Sequence, residues 1–241
     1  MRQARALDPS DIYLAFHARR YAFALETLAP YVAGPATRLL DIGPSKLTGM
    51  LHQAFRAPVD TLGFPPDSTS PIGRHYRFDL NDTEPRDRWR RDLPAYDIVV
   101  MAEVLEHLHV SPTHVLAFLQ TLLRPRGILL IQTPNAVALH KRLEMLIGRH
   151  PYELLRDNSA DPGHFREYTA SELRDYARAA GFAVERCVYA SYFDYRFGRH
   201  RAEDTGRPIG YLRLMNFLYA VVPPRFKPGL SLVLRLTAGT A

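Results

Sequence analysis

The residues best suited to chemistry sit in one short run, Glu103-Val104-Leu105-Glu106-His107. Glu106 and His107 follow Glu103 by three and four positions, so a helical turn starting there would carry all three side chains on nearly the same side. Two carboxylates and an imidazole directed at one point suit a hard-to-borderline divalent cation such as Mg²⁺, Mn²⁺ or Zn²⁺. His164, in the segment Asp161-Pro162-Gly163-His164, is a candidate fourth ligand. The same residues also suit a plainer task, capping or bracing the loop that follows a strand.

Two further acids, Asp41 and Asp79, each close an apolar run, and Glu103 closes a third. One such acid commonly just caps the next turn; three in series mark the rim of an open parallel sheet, where ligands bind. Gly43 lets the chain turn tightly after Leu39-Leu40-Asp41-Ile42 and lets a ligand approach the backbone. A helix starting near Lys46 would point its free N–H groups and positive dipole end at an anion held there. There is no G-x-G-x-x-G pattern, and the second strand closes as Gly63-Phe64-Pro65 with no acid. Both facts argue against a nicotinamide dehydrogenase.

Those residues meet only if the chain between them alternates strands with helices. Leu14, Ala18, Tyr21, Leu25 and Leu28 recur at helical spacing from a cap at Ser10 to a stop at Pro30. Strands are expected at 38–43, 59–64, 75–80, 96–103, 127–133, 182–190 and 230–236, with helices at 46–56, after Ser111, at 136–147, from the Thr169/Glu172 capping box to Gly181, and from about Pro208 to Val221. The pattern predicts an α/β fold, a seven-stranded mostly parallel sheet with helices on both faces. The chain reads as a single domain over 1–241, with a helical extension at 1–35 and insertions at 148–168 and 194–229. The second insertion and the two residues before it mix Tyr192, Phe193, Tyr195, Phe197, Tyr211, Phe217 and Tyr219 with arginines, which suits an acceptor site or simple burial against the sheet.

Composition narrows the classes. With 241 residues, 46% hydrophobic and 23% charged, the chain can build one substantial core. Its single cysteine, Cys187, excludes a disulfide framework or a multi-cysteine zinc site. No apolar run is long enough to span a membrane, and the first residues lack a signal-peptide core, so a cytoplasmic location is expected. The net charge of +6 comes from arginines scattered along the chain, apart from a local cluster at Arg86, Arg88, Arg90 and Arg91. General basicity is preferred to a nucleic-acid face.

In order and spacing, Leu39-Leu40-Asp41-Ile42-Gly43, Phe78-Asp79-Leu80-Asn81-Asp82, the run 96–108, the run 122–135 and the run 168–182 resemble the motifs of class I, Rossmann-like S-adenosylmethionine-dependent methyltransferases. The resemblance implies that Asp41, Gly43, Ser45, Phe64, Asp79, Leu80, Met101 and Ala102 line the cofactor. Asp41 would face its ammonium group, Asp79 and Leu80 the adenine, and Met101 and Ala102 the floor, while Phe64 is placed to pack on the adenine. Glu103, Glu106, His107 and His164 are similar to the metal-binding set of certain O-methyltransferases, including small-RNA 2′-O-methyltransferases. By that likeness they would hold one cation that lowers the pKa of an acceptor hydroxyl; without a cation, His107 or His164 is left to take the proton. The expected activity is O-methylation of a small or glycosylated metabolite. RNA 2′-O-methylation and a catalytically silent scaffold are the alternatives, and the oligomeric state is left open.

Overall fold

The computed structural model describes residues 12–64, 73–152, 154–158, 163–194 and 209–237. The expected cap at Ser10, the helix start near Pro208, and Tyr195 and Phe197 lie outside these residues. The apolar runs form seven strands: β1 (Leu39–Ile42), β2 (Val59–Gly63), β3 (His75–Arg77), β4 (Tyr96–Ala102), β5 (Leu123–Pro134), β6 (Phe182–Ala190) and β7 (Gly229–Leu236). They build one sheet in the order β3-β2-β1-β4-β5-β7-β6. Strands β1 to β5 pair in parallel, and β7 runs antiparallel to both β5 and β6. The winding reverses between β1 and β4, which puts the cleft at their carboxyl ends.

The helices are α1 (Ile12–Leu28), α2 (Lys46–Phe55), α3 (Pro112–Thr121), α4 (Leu139–Leu146), α5 (Ala170–Ala179) and α6 (Ile209–Val221). Their starts follow local chemistry. Ser45 with Thr48, and Thr169 with Glu172, form reciprocal capping boxes at α2 and α5. Ser111 caps α3, whose first residue is Pro112. Three boundaries differ from expectation by three residues or more, the first being β5, which starts at Leu123 rather than Gly127. The third strand stops at Arg77, because the Asp79 carboxylate accepts from the Asn81 N–H at 2.9 Å and turns the chain into a 3-10 helix at Leu80–Thr83. Helix α4 starts at Leu139 rather than Ala136, because the Asn135 side chain and carbonyl accept from the N–H groups of Val137 and Ala138 and hold a turn there.

Successive side chains along the central strands point to opposite faces. Leu39, Ile98, Val100, Ile128, Leu130 and Val233 pack beneath α1 and α2. Leu40, Ile42, Val99, Met101, Leu129 and Ile131 pack beneath α3 and α5. Covering both faces explains why these strands are continuously apolar rather than alternating. On α1, Leu14, Tyr21 and Leu28 are buried, with Ala18 and Leu25 packed beside them, so the expected apolar face is the one that docks. Among the described residues, no helix is long and apolar enough to cross a membrane.

Candidate active site at the rim of the sheet

Strand register decides which loops meet. Ile42 pairs with Met101, and Met101 with Ile131, so the chain leaves β1 at Gly43 beside the point where it leaves β4 at Glu103. Gly43 has φ 72° and donates its N–H to the Leu62 carbonyl at 2.9 Å. A Cβ on Gly43 would stand 2.8 Å from Val104 Cγ2, and one on Gly63 would stand 3.5 Å from the Gly43 nitrogen. Backbone from the β1, β2 and β4 ends therefore converges, with no room for a side chain at Gly43 and ordinary contact distance at Gly63, a cradle suited to close approach by a nucleoside ligand.

Behind the cradle, Asp41 is fully buried. Thr48 Oγ1 donates to Asp41 Oδ2 at 2.6 Å and accepts from the Ser45 N–H at 3.1 Å, tying the acid to the start of α2. Burial pushes the Asp41 carboxyl up to about 7, against the opposing pull of Thr48 and of the Arg20 charge. Ser45 Oγ accepts from the Leu47 N–H at 3.2 Å, and its carbonyl accepts from the Thr48 N–H at 3.1 Å. Two of the N–H groups expected to receive an anion at this helix end are thus already engaged.

Helix α1 brings a residue that sequence reasoning missed. Arg20 is 2% exposed, and its Nη1 lies 3.5 Å from Glu103 Oε1. Neither Nε nor Nη1 of Arg20, nor Glu103 Oε1, makes a hydrogen bond among the described residues. Its signal was modest: Ala24 and Thr27, one and two turns on, leave room on that face for a long side chain. His17, one turn before, is driven down to about 3 by burial first and by Arg20 second.

Glu103 adopts a left-handed φ of 56°, and the helical turn begins only at Leu105. Glu103 and Glu106 therefore part company, contrary to the expectation of a shared side. Glu106 is 0% exposed; its Oε2 accepts from Thr133 Oγ1 at 3.0 Å, while Oε1 has no partner among the described residues. Burial raises its pKa. His107 Nδ1 lies 2.9 Å from the Gly163 carbonyl and His164 Nδ1 3.1 Å from Glu167 Oε1. Taking both contacts as N–H donation leaves Nε2 as the lone-pair nitrogen of each ring. Ligand atoms of Glu106, His107 and His164 all lie within 4.8 Å of one another; Glu103 is not in this group.

The loop carrying His164 is pinned to the cluster by backbone bonds from the Phe165 and Arg166 N–H groups to the Glu106 carbonyl, at 2.8 and 3.3 Å. Glu167 also pairs with Lys141 of α4, a buried amine lowered to about 7 chiefly by desolvation. Lys141, Glu167 and Thr133 were not foreseen, since only the folded chain brings α4, the loop and β5 together. Of the other expected cofactor residues, Asp79 Oδ1 already holds Asn81, and Leu80 is buried. Phe64 stands 60% exposed at the end of β2, Met101 is fully buried beneath the α3/α5 layer, and Ala102 is half-buried.

A family model described as a methyltransferase domain matches residues 13–186. A curated S-adenosylmethionine-dependent methyltransferase from Mycolicibacterium smegmatis is 34% identical over 91 residues, which is 38% of this chain and only 30% of that protein. An S-adenosylmethionine-dependent methyltransferase from Archaeoglobus fulgidus superposes with a TM-score of 0.56 at 15% identity, over 89% of this chain and 94% of that one. The cyclopropane synthase MmaA2 from Mycobacterium tuberculosis gives 0.59 at 16% identity, over 89% and 83%. With the family model running from α1 through most of β6, the chain belongs to the methyltransferase domain family, as a class I, Rossmann-like member of the S-adenosylmethionine-dependent methyltransferases.

Proposed function

We propose that the chain methylates a hydroxyl oxygen of a small or glycosylated metabolite, with a divalent cation held by Glu106, His107 and His164. S-adenosylmethionine, when bound, supplies an electrophilic methyl group on a sulfonium sulfur. The observation that carries the reading is the buried Glu106 carboxylate, with one unpartnered oxygen, facing two imidazoles whose outer nitrogens are already oriented. Two histidines and a carboxylate leave open positions on a cation, and the absence of a thiolate suits Mg²⁺, Mn²⁺ or Zn²⁺. Glu167 stands behind His164 as the carboxylate that fixes its ring, an arrangement common behind metal-bound histidines.

An alcohol is a poor nucleophile until its proton is drawn off, so this cluster has most to offer an oxygen acceptor. Aligning that oxygen adds a further gain. The loop at 163–167 carries His164, α4 reaches that loop through Lys141 and Glu167, and α6 joins α4 where the Tyr219 hydroxyl and His140 Nδ1 lie 2.5 Å apart; these segments are the proposed acceptor side. The test is turnover of a hydroxylated acceptor panel with radiolabelled cofactor, before and after metal stripping. Stripping is expected to cut turnover by at least roughly tenfold, with recovery on adding Mn²⁺ or Mg²⁺, and Glu106→Gln to do the same without recovery. Full activity in stripped enzyme would remove the cation and leave the histidines as bases.

A further inference from the structure

A water-exposed surface normally scatters its large apolar side chains, and a cluster of them marks a place where something else sits. Of the large apolar side chains exposed among the described residues, all but Phe64 and Phe165 lie in two segments, 143–155 and 209–221. Leu146, at the end of α4, is 80% exposed, and Ile147 just beyond it is 67% exposed. On α6, Leu214, Phe217 and Val221 recur at steps of three and four and form an exposed stripe, while Leu212 and Tyr219 are buried. Helix α6 is therefore apolar on both its buried and its exposed side, with Arg213 its single charge. A helix of that kind calls for a covering on its outer side too. The two helices meet where the Tyr219 hydroxyl reaches His140 of α4.

The charge around these helices indicates what covers them. Elsewhere surface arginines face acids, as Arg88 does Asp82 and Arg124 does Asp97. Here they do not. Arg142 and Arg225 both lie over the Phe226 ring, 5.2 and 5.0 Å from its centre, and neither makes an ion pair among the described residues. Nor do Arg149 and Arg213. Glu144 is the only acid of α4, and no acid occurs between Ile209 and Ala241. A second copy seated on this face by two-fold symmetry would bring these like charges together. An anionic bilayer surface instead offers acyl chains to the apolar stripe and phosphates to the guanidiniums. We propose that the chain docks through α4 and α6 onto an anionic phospholipid surface. It would lie on that surface rather than span it, since no described helix is long and apolar enough to cross. Because Lys141 of α4 pairs with Glu167, docking by this helix brings the 163–167 loop towards the bilayer. The proposal stands apart from the cation and from the nature of the acceptor.

Co-sedimentation of the full chain with sucrose-loaded vesicles tests this, with phosphatidylcholine alone and with phosphatidylcholine mixed with phosphatidylglycerol. Wild type is expected to bind the mixed vesicles at least roughly tenfold more tightly and to be released as salt is raised. Leu146→Ser combined with Phe217→Ser should weaken that binding by roughly tenfold or more, because two exposed apolar side chains no longer enter the acyl region. Arg149→Gln combined with Arg213→Gln should remove most of the preference for the mixed vesicles. All four positions are exposed, so thermal melts of both variants should match wild type. A wild-type chain that leaves both kinds of vesicle in the supernatant overturns the proposal, and a dimer seen by light scattering would then assign the face to a second copy. Equal binding of the two vesicle types by wild type also overturns it. So does undiminished binding of mixed vesicles by Leu146→Ser/Phe217→Ser, since general basicity alone would then be responsible.

Discussion

Asp41 carries the clearest electrostatic signature at the rim. Its carboxyl rises from 3.8 to about 7, because burial outweighs the Thr48 hydrogen bond and the Arg20 charge. The folded protein therefore keeps a proton that the unfolded chain releases near pH 4. This group favours the folded state fully below about pH 4, and that contribution is lost as pH rises through about 7. A ligand ammonium prefers the ionised form. Cofactor affinity should accordingly increase as pH is raised from about 5 to about 7 and level off above. Asp41→Asn should bind more weakly and flatten that profile while stabilising the ligand-free protein at alkaline pH; fluorescence titration and thermal melts across this range check both. A wild-type profile with no rise would separate Asp41 from the ammonium.

At the scale of elements, sequence and structure agree where local chemistry is strong. The capping box at Thr169/Glu172 and the continuous apolar runs of β1, β4 and β5 were legible because each is settled within a few residues; the box at Ser45/Thr48 was not foreseen. The left-handed turn at Glu103 was not legible, since no local pattern there signals a positive φ. Nor was the split it causes, with Glu103 facing Arg20 and Glu106 facing Thr133. Helix α1 is the element whose docking matters most to the rim, because it carries Arg20 there. Tyr21 is fully buried at its centre, so Tyr21→Ala should lower stability by roughly 3–5 kcal/mol in chemical denaturation and weaken cofactor binding in parallel. A loss below about 1 kcal/mol would mean that α1 is not firmly docked.

Across the whole molecule, the net charge of +6 suggests more affinity for anions than the surface offers. Arg88 pairs with Asp82, Arg90 with Asp92, Arg124 with Asp97 and Arg166 with Glu172, so much of the basic surface is internally matched. Strand parity puts Asp41 and Arg20 on the α1/α2 side of the sheet, while Glu106 meets Thr133 on the other, so the proposed cofactor and catalytic groups are divided between the two faces. The most direct test is isothermal titration of S-adenosylmethionine into wild type, Gly43→Ala and Glu106→Gln. One site is expected in wild type, with affinity reduced roughly tenfold or more in Gly43→Ala, where the new Cβ would meet Val104, and unchanged affinity with lost turnover in Glu106→Gln. Binding indifferent to Gly43 but lost with Glu106 would contradict this division of the site.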